Sequence, residues 1–421
     1  MAKRESRTAQ RRRLQEAASH IAVPDTCDVV VVGGGAAGLV AAIVAAEAGA
    51  SVVVLERELE CGKTILATGN GRCNFANIRL DPRRYNNPAF VQDVCGPRWL
   101  DDVLSFFRAC GLRWSLEDDR LYPTSRQATS VRNVLLARAR KADVVLAPAR
   151  EVVQVAQGAV TYRLDTGLDE TLTTLHASSI ILATGGGLSA AIEGLGLRAL
   201  ATTPVLCPLA CEPSPLSALD GRRALVQAQL TKADSFFPSW RERGEVLFRP
   251  YGISGILTFD LSRRAEQGDL VELDLVPDVN RSELQQLIDP FAHGDFESGC
   301  VDGIVDPAIA AVLEDLARER WHIDWAERDQ PTSDSDALIK LLKALPLVVS
   351  GPAEKEHAQV TRGGLVTDQF DPTTLASHEL PWLHACGEAL DIDADCGGFN
   401  LAWAWKSGMV AGAAAARRPR S

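Results

Sequence analysis

No stretch of the 421 residues approaches the ~18 consecutive apolar residues of a membrane-spanning helix, and the N-terminal region lacks the apolar core of a secretory signal. No Cys-x-x-Cys pair occurs: the closest of the ten cysteines are Cys207 and Cys211, with no histidine nearby. His-Glu-x-x-His is missing too, so no metal site is expected. There is no Gly-x-Ser-x-Gly elbow and no Walker loop. Positive charge is in short supply, with 44 Lys+Arg against 55 Asp+Glu and a formal net charge of −11. That excludes a general attraction to nucleic acid or to an anionic membrane. These absences predict a soluble, cytoplasmic protein whose cysteines are reduced, small and buried.

What is present is ordinary globular composition, 46% hydrophobic and 24% charged, in a chain too long for one core. The charge is uneven. Residues 1–24 carry Lys3, Arg4, Arg7, Arg11, Arg12 and Arg13 against Glu5 and Glu16, and the chain ends Arg417-Arg418-Pro419-Arg420. Both ends read as solvated, disordered tails, with a polyanion contact as the alternative.

The most informative run is Gly33-Gly34-Gly35-Ala36-Ala37-Gly38. It follows the apolar Val29–Val32 and opens a small-residue helix, and a second apolar run, Val52–Leu55, ends on Glu56. Strand, glycine turn, helix, strand and acid together form a dinucleotide-binding pattern. Gly33 serves the turn, Gly35 the backbone approach to a pyrophosphate, and Gly38 the close packing of helix on strand. Glu56 is placed to accept ribose hydroxyls.

Further along, helical spacing marks Trp99–Phe107 and Ser130–Ala142, and Arg120–Ser125 reads as strand into loop. Short strands are expected at Val144–Ala147, Val152–Ala156, 159–165 and Thr171–His176, as a β-meander. A buried strand then runs Ile180–Leu182 into Ala183-Thr184-Gly185, where open α/β sheets hold ligands; a plain strand–turn is the alternative. From 196 the texture changes to β-like runs at Leu206–Cys211, Ala224–Leu230, Val246–Phe248 and Leu270–Leu275, then to helices at Ser282–Ile288, Pro307–Arg318 and Ser335–Leu345.

The expected fold is therefore α/β: a discontinuous Rossmann-type FAD-binding domain (25–195 and 354–416) with an inserted β-barrel-like plus helical domain (196–353). In the insertion, 196–278 is expected to be β-rich and 279–353 helical. Residues 1–24 and 417–421 are the tails. Near the end, the strand Leu383–Cys386 leads through Gly387-Glu388 to Cys396-Gly397-Gly398-Phe399-Asn400-Leu401, where a second helix opens. A second glycine-rich helix N-terminus suits the flavin end of FAD and favours FAD over NAD.

The chain resembles the HI0933-like (BaiN/YhiN-type) family of NAD(P)/FAD-dependent oxidoreductases. Its most diagnostic run is Lys63-Thr64-Ile65-Leu66-Ala67-Thr68-Gly69-Asn70-Gly71-Arg72-Cys73-Asn74. Arg120–Ser125, Tyr251–Gly255, Asp260–Ser262, Thr361–Gly364, Leu390-Asp391 and Gly397–Leu401 follow in the family's order. Departures fall at Gly62-Lys63-Thr64, at Ile256 in place of a proline, and at Cys396 in place of a threonine.

The resemblance implies that Gly33, Gly35, Ala36, Ala37, Gly38, Glu56 and Arg57 hold the ADP half of FAD. Lys63, Thr68, Gly69, Asn70, Gly71, Arg72, Cys73 and Asn74 would wrap the pyrophosphate and flavin side. Val152, Ala183, Thr184, Gly185, Gly387, Glu388, Gly398, Asn400 and Leu401 complete the expected contacts, with Glu388 toward the ribityl chain. Cys396, Asn70 and Arg72 are the candidates for catalysis, and Cys73 for a redox or proton-donating thiol, the alternative for both thiols being a packed cysteine.

NAD(P)H is expected as a transient electron donor, since no second nucleotide fingerprint is present, and a small organic molecule as substrate. A flavin-dependent ribosomal RNA uridine reductase is the alternative; the basic tails and Arg222, Arg223, Arg241, Arg243 and Arg249 would serve it. A flavin redox sensor without turnover is the third reading.

Overall fold

The computed structural model describes residues 6–164, 171–187, 190–212, 215–288, 296, 298–319, 330–354 and 358–417. Lys3, Arg4, Glu5, Arg418, Pro419 and Arg420 of the two expected tails lie outside them, as does residue 165 at the end of one expected strand. The chain divides into two compact units, Met1–Thr203 with Val360–Ser421, and Pro204–Gln359.

The first unit is built on a seven-stranded sheet. Its parallel part joins β1 (Thr26–Val32), β2 (Val52–Leu55) and a short β6 (Val145–Ala147). Val29–Val31 and Val52–Leu55 are buried on both faces, which is why these strands read as unbroken apolar runs. An antiparallel meander follows: β7 (Arg150–Ala156), β8 (Ala159–Leu164) and β9 (Leu172–Leu182). The expected strands at 171–176 and 180–182 are one continuous β9. Its first half pairs with β8, its length from His176 to Leu182 runs parallel to β1, and β18 (Leu383–Ala385) joins it at Ile180–Leu182. Residues 171–174 are exposed and 174–178 alternate, while 179–182 is buried, so the sequence pattern broke where the neighbours changed.

Helices α2 (Ala36–Glu47), α3 (Pro88–Cys95), α4 (Trp99–Ala109), α5 (Ala128–Lys141) and α10 (Phe399–Ala415) belong to this unit. A small sheet adds β3 (Ala76–Asn77), β4 (Trp114–Glu117) and β5 (Arg120–Pro123). Helices α2 and α10 lie in close contact through small residues. A side chain at Gly408 would meet the Ala37 carbonyl oxygen at 2.5 Å, and one at Gly412 would collide with Ala41.

Two expectations change in the first unit. Residues 7–19, placed in a disordered tail, form helix α1 (Arg7–Ser19), begun by Ser6, whose side chain accepts from Ala9 N. The stretch after 196 stays with the first unit, because β10 (Ala199–Val205) pairs with β17 (Val360–Leu365).

The second unit is a closed six-stranded barrel, order β11-β14-β13-β12-β15-β16. Its strands are β11 (Leu209–Cys211), β12 (Arg223–Thr231), β13 (Pro238–Arg249), β14 (Gly252–Ser254), β15 (Leu270–Asp274) and β16 (Leu345–Pro352). Val226, Ala228 and Leu230 point inward from β12 with full burial, the period-2 signature of a strand with one face inside. Helix α6 (Ile256–Ser262) follows β14, and α7 (Arg281–Ile288), α8 (Pro307–Arg318) and α9 (Asp334–Lys343) complete the unit. The segment 279–353 is thus not all helical: β16 returns after α9 and closes the barrel between β15 and β11.

Candidate functional site

Gly33 sits at φ +106°, and a side chain there would strike the carbonyl of Ala183. Gly38 faces the Gly33 carbonyl with no room for a methyl group. Strand, turn and helix are therefore locked at backbone contact. Helix α2 starts at Gly35 without a side-chain cap, so the N–H groups of Ala36 and Ala37 precede the first helical bond, Leu39 N to Gly35 O at 3.0 Å.

Glu56 is buried at the end of β2. One of its carboxylate oxygens accepts from Gly34 N at 2.6 Å and the other from Glu58 N at 2.8 Å. Burial pushes its pKa up, while these two backbone donors work in the opposite direction. Each oxygen keeps acceptor capacity, as a ribose acceptor requires. Arg57 is exposed beside it.

The Gly62 amide donates to Gly34 O at 2.7 Å, tying the next loop to the first. Arg132 of α5 secures that loop from behind, through Cys61 O at 2.8 Å and Glu60 at 2.9 Å. Lys63 is exposed and paired with Glu58 at 2.6 Å. From Thr68 the chain leaves helical geometry: Gly69, Asn70, Gly71 and Cys73 all have positive φ, at 56°, 52°, 79° and 56°. The loop is closed by Cys73 N to Thr68 O at 3.0 Å and Arg72 N to Gly69 O at 3.1 Å, and the Thr68 hydroxyl bonds Ile65 O. Asn70 is exposed.

Arg72 lies over the Tyr122 ring, 5.2 Å from its centroid, and 3.9 Å from Glu117. Its charge is thus held by the β4–β5 hairpin, which joins two of the sequence motifs. Cys73 is fully buried, and burial pushes its thiol up to about 11, the surroundings of a packed cysteine.

Asn74 carries the most telling atom of the loop. Its Oδ1 is buried and has no hydrogen-bond partner. Gly398, the residue before α10, lies against it: a side chain there would sit 2.8 Å from Asn74 Oδ1 and 2.7 Å from the Ala76 carbonyl. Asn77 Nδ2 to Gly397 O at 3.0 Å and Trp405 Nε1 to Phe75 O at 2.8 Å fix this junction. The loop at 68–74 and the start of α10 thus form one surface.

Asn400 spends its side chain on its own approach, accepting from Ala394 N at 2.8 Å and donating to Ala394 O at 2.9 Å. It therefore shapes the helix mouth. Leu401 and Cys396 are half-buried on the same segment.

Gly387, at φ +64°, abuts Ala37: a methyl there would lie 2.8 Å from the Ala37 Cβ. Ser407 and Trp403 of α10 hold its amide and carbonyl at 2.9 and 3.0 Å. The mouth of α2 is thereby linked to Glu388. Glu388 accepts from Thr361 N, and its pKa rises to about 7, chiefly through burial and further through the charge of Asp393. Asp393 is wholly buried, and its two carboxylate oxygens accept from one edge of the Arg362 guanidinium, Nε at 2.9 Å and Nη2 at 3.1 Å.

Ala183 receives the end of β1 through Ala183 N to Val32 O at 2.8 Å, and the turn continues over Thr184 and Gly185, at φ +70°. Val152 points into the sheet core, so only its backbone is available to a ligand. Arg362, Asp393 and Asn74's orphaned oxygen were not singled out from sequence as a connected set. The alternating acids Asp391, Asp393 and Asp395 were the available signal.

The basic cluster weighed for RNA is largely neutralised. Arg222 pairs with Asp306 at 3.5 Å, Arg223 with Glu245, Arg243 with Asp278 and Arg249 with Asp220 at 3.3 Å; Arg241 is bound to Gln229. No helix among the described residues is long and apolar enough to cross a membrane, and no group of metal-ligating side chains occurs among them.

Sheet, glycine turn, uncapped helix and terminal acid define a Rossmann-type dinucleotide-binding protein. The chain matches the HI0933-like protein Rossmann domain over residues 27–414 and belongs to that family. It is 31% identical over 403 residues to the 3-dehydro-bile acid delta(4,6)-reductase of Clostridium scindens, covering 89% of this chain and 95% of that one. It is 25% identical to the ribosomal RNA dihydrouridine synthase of Escherichia coli K12, covering 86% and 91%. Among solved structures, the 3-ketosteroid-delta4-(5alpha)-dehydrogenase of Rhodococcus jostii RHA1 aligns over 96% of this chain and 99% of that one, at 15% identity and a TM-score of 0.47.

Proposed function

We propose that this protein is an FAD-dependent oxidoreductase that passes hydride from NAD(P)H to a small organic substrate. The observation that carries the reading is the pairing of two uncapped, glycine-started helices in one unit. The mouth of α2 lies beside Glu56 and the mouth of α10 beside the unpartnered Asn74 Oδ1. The residues fit FAD: Gly33, Gly35 and Gly38 give backbone access to a pyrophosphate, and Asn74 Oδ1 lacks the donor that a flavin ring N–H would supply. FAD, when bound, supplies hydride transfer at its N5.

Around it, the chain's own residues have separable tasks. Glu56 accepts the ribose hydroxyls, and the N–H groups of Ala36 and Ala37 face the phosphates. The positive end of α10 favours negative charge on the ring. Glu388 keeps a proton into the neutral range and so donates, as well as accepts, toward the ribityl chain. Cys396 stands at the α10 mouth as the thiol left for a proton-donating role.

The Clostridium scindens relative, a 3-dehydro-bile acid delta(4,6)-reductase, supports a conjugated carbonyl compound as the substrate class. All ten cysteines are free, in keeping with work in the reducing cytoplasm.

The test is an anaerobic titration of the FAD-loaded protein with NADH and then NADPH, followed by flavin absorbance, with acceptors added to the reduced protein. Bleaching by a pyridine nucleotide and reoxidation by an α,β-unsaturated ketone are expected. Reoxidation by ribosomal RNA alone would replace the substrate class. Failure of every donor to bleach the flavin would leave a binding protein without turnover.

A further inference from the structure

Arg150, the first residue of β7, is a buried cation whose guanidinium donates to three backbone carbonyls. Its Nη1 donates to Ala18 O at 2.6 Å and Pro148 O at 2.8 Å, and its Nη2 to Ile21 O at 2.9 Å. Ala18 lies in the last turn of α1 and is itself buried, and Val23 just beyond packs on the core of the first unit. The guanidinium therefore sits at the negative end of α1 and fastens that helix to the sheet. Helix α1 precedes residue 27, where the family match begins.

Its position gives it a use. Arg150 N donates to the backbone oxygen of Glu56 at 2.8 Å, and Glu56 N donates to Ala147 O at 3.0 Å. The latch is thus anchored on the backbone of the residue that would read the ribose. Arg150 Nε, on the side chain that leaves this backbone contact, is buried with no acceptor. Leaving such a donor unpaired is unfavourable, and an adenosine nitrogen or hydroxyl would satisfy it.

We propose that Arg150, with the Ala18–Ile21 segment it holds, forms the outer wall of the adenosine end of the dinucleotide site and slows release of the cofactor. This rests on the FAD reading above. The wall acts by excluding water and by its one free donor, so it concerns the ADP half alone.

The experiment measures FAD release from the full chain by recovery of flavin fluorescence on dilution. It compares wild type with Arg150→Ala, Arg150→Lys, Ala18→Trp and, as control, Arg12→Ala on the exposed face of α1. Release about tenfold faster is expected for Arg150→Ala and Ala18→Trp, with a smaller change for Arg150→Lys and none for Arg12→Ala. Ala18→Trp displaces the segment and its carbonyl while keeping the Arg150 side chain, so it carries the test if Arg150→Ala does not fold.

By reciprocity, ADP should slow tryptic cleavage at Arg11–Arg13 in wild type, while FMN should not. Unchanged release in both Arg150→Ala and Ala18→Trp, or equal protection by FMN and ADP, overturns the proposal while leaving FAD binding intact. A wild-type protein that binds no FAD overturns the functional reading and this proposal with it.

Discussion

Two helices of the barrel unit, α8 and α9, and the two at the dinucleotide site begin in opposite ways. In the barrel unit, Asp306 caps α8 through Ala308 N and Ser333 caps α9 through Asp336 N. At the site, α2 and α10 begin on Gly35 and Gly398 with no side-chain cap. A cap satisfies a helix's own first amides and is worth roughly 1 kcal/mol, so forgoing it at two adjoining helices leaves donors for something else. Helices α8 and α9 spend their N-termini on themselves, whereas α2 and α10 keep theirs open, as α4, α5 and α6 also do.

The two open mouths differ from each other, and variants can separate them. The largest effect belongs to Gly38→Ala. Its methyl has no room beside the Gly33 carbonyl, so the turn must move. Thermal melts should show a loss of ~3 kcal/mol or more, and neither ADP nor FAD should bind.

Gly398→Ala, at φ +93° and against the Ala76 carbonyl, should cost ~2–3 kcal/mol of stability. Calorimetric titration should show ADP affinity retained and the additional affinity of FAD lost. Glu56→Gln should do the reverse, weakening ADP and FAD alike by ~2 kcal/mol, read in the same titration. If Gly398→Ala weakened ADP as much as FAD, the division between the two mouths would be wrong.

Asp393→Asn tests the junction. It leaves Arg362 without its carboxylate partner, costing ~1–2 kcal/mol because Arg362 is partly solvated. It should also bring Glu388 closer to an ordinary carboxylate, shifting the pH dependence of FAD affinity toward lower pH.

The smallest effect at neutral pH is that of His384→Leu, and it grows on acidification. Burial lowers the His384 pKa to about 4, so between its unfolded value near 6.5 and 4 only the unfolded chain takes the proton. Stability therefore falls as pH drops through that window, by about 3 kcal/mol at most, and the leucine variant should lose this acid limb in denaturant titrations. Glu388 acts with the opposite sign. Its folded pKa is raised to about 7, so its contribution is present at low pH and is lost as pH rises from ordinary carboxylate values through 7. Glu388→Gln should remove that second slope alone.

Local chemistry made much of this legible in the sequence. The run Gly33–Gly38 announced a turn because only glycine tolerates its backbone and its contacts, and Val29–Val32 announced a strand buried on both faces. The insertion was visible from its texture, but β16 was not placed. Its partners β11 and β15 are remote in sequence, and Leu345 reads as a continuation of the α9 helical pattern. Helix α1 was hidden for a related reason: it is polar on nearly every face, and what holds it is Arg150, more than a hundred residues away.

At the site, the sequence named residues but not the partners of their side chains. The Asn400 amide bonds Ala394, and Cys73 is sealed in the core. Pairings such as Arg362 with Asp393, or Asn74 with Gly398, depend on segments brought together from opposite ends of the chain. No local pattern encodes them.

The measurement that reaches the central claim most directly is titration of FAD, FMN and ADP into the cofactor-free protein, followed by flavin fluorescence and calorimetry. Two cooperating helix mouths predict one FAD per chain, bound far more tightly than either FMN or ADP alone. Equal affinity for FAD and FMN, or no flavin binding at all, would contradict the account.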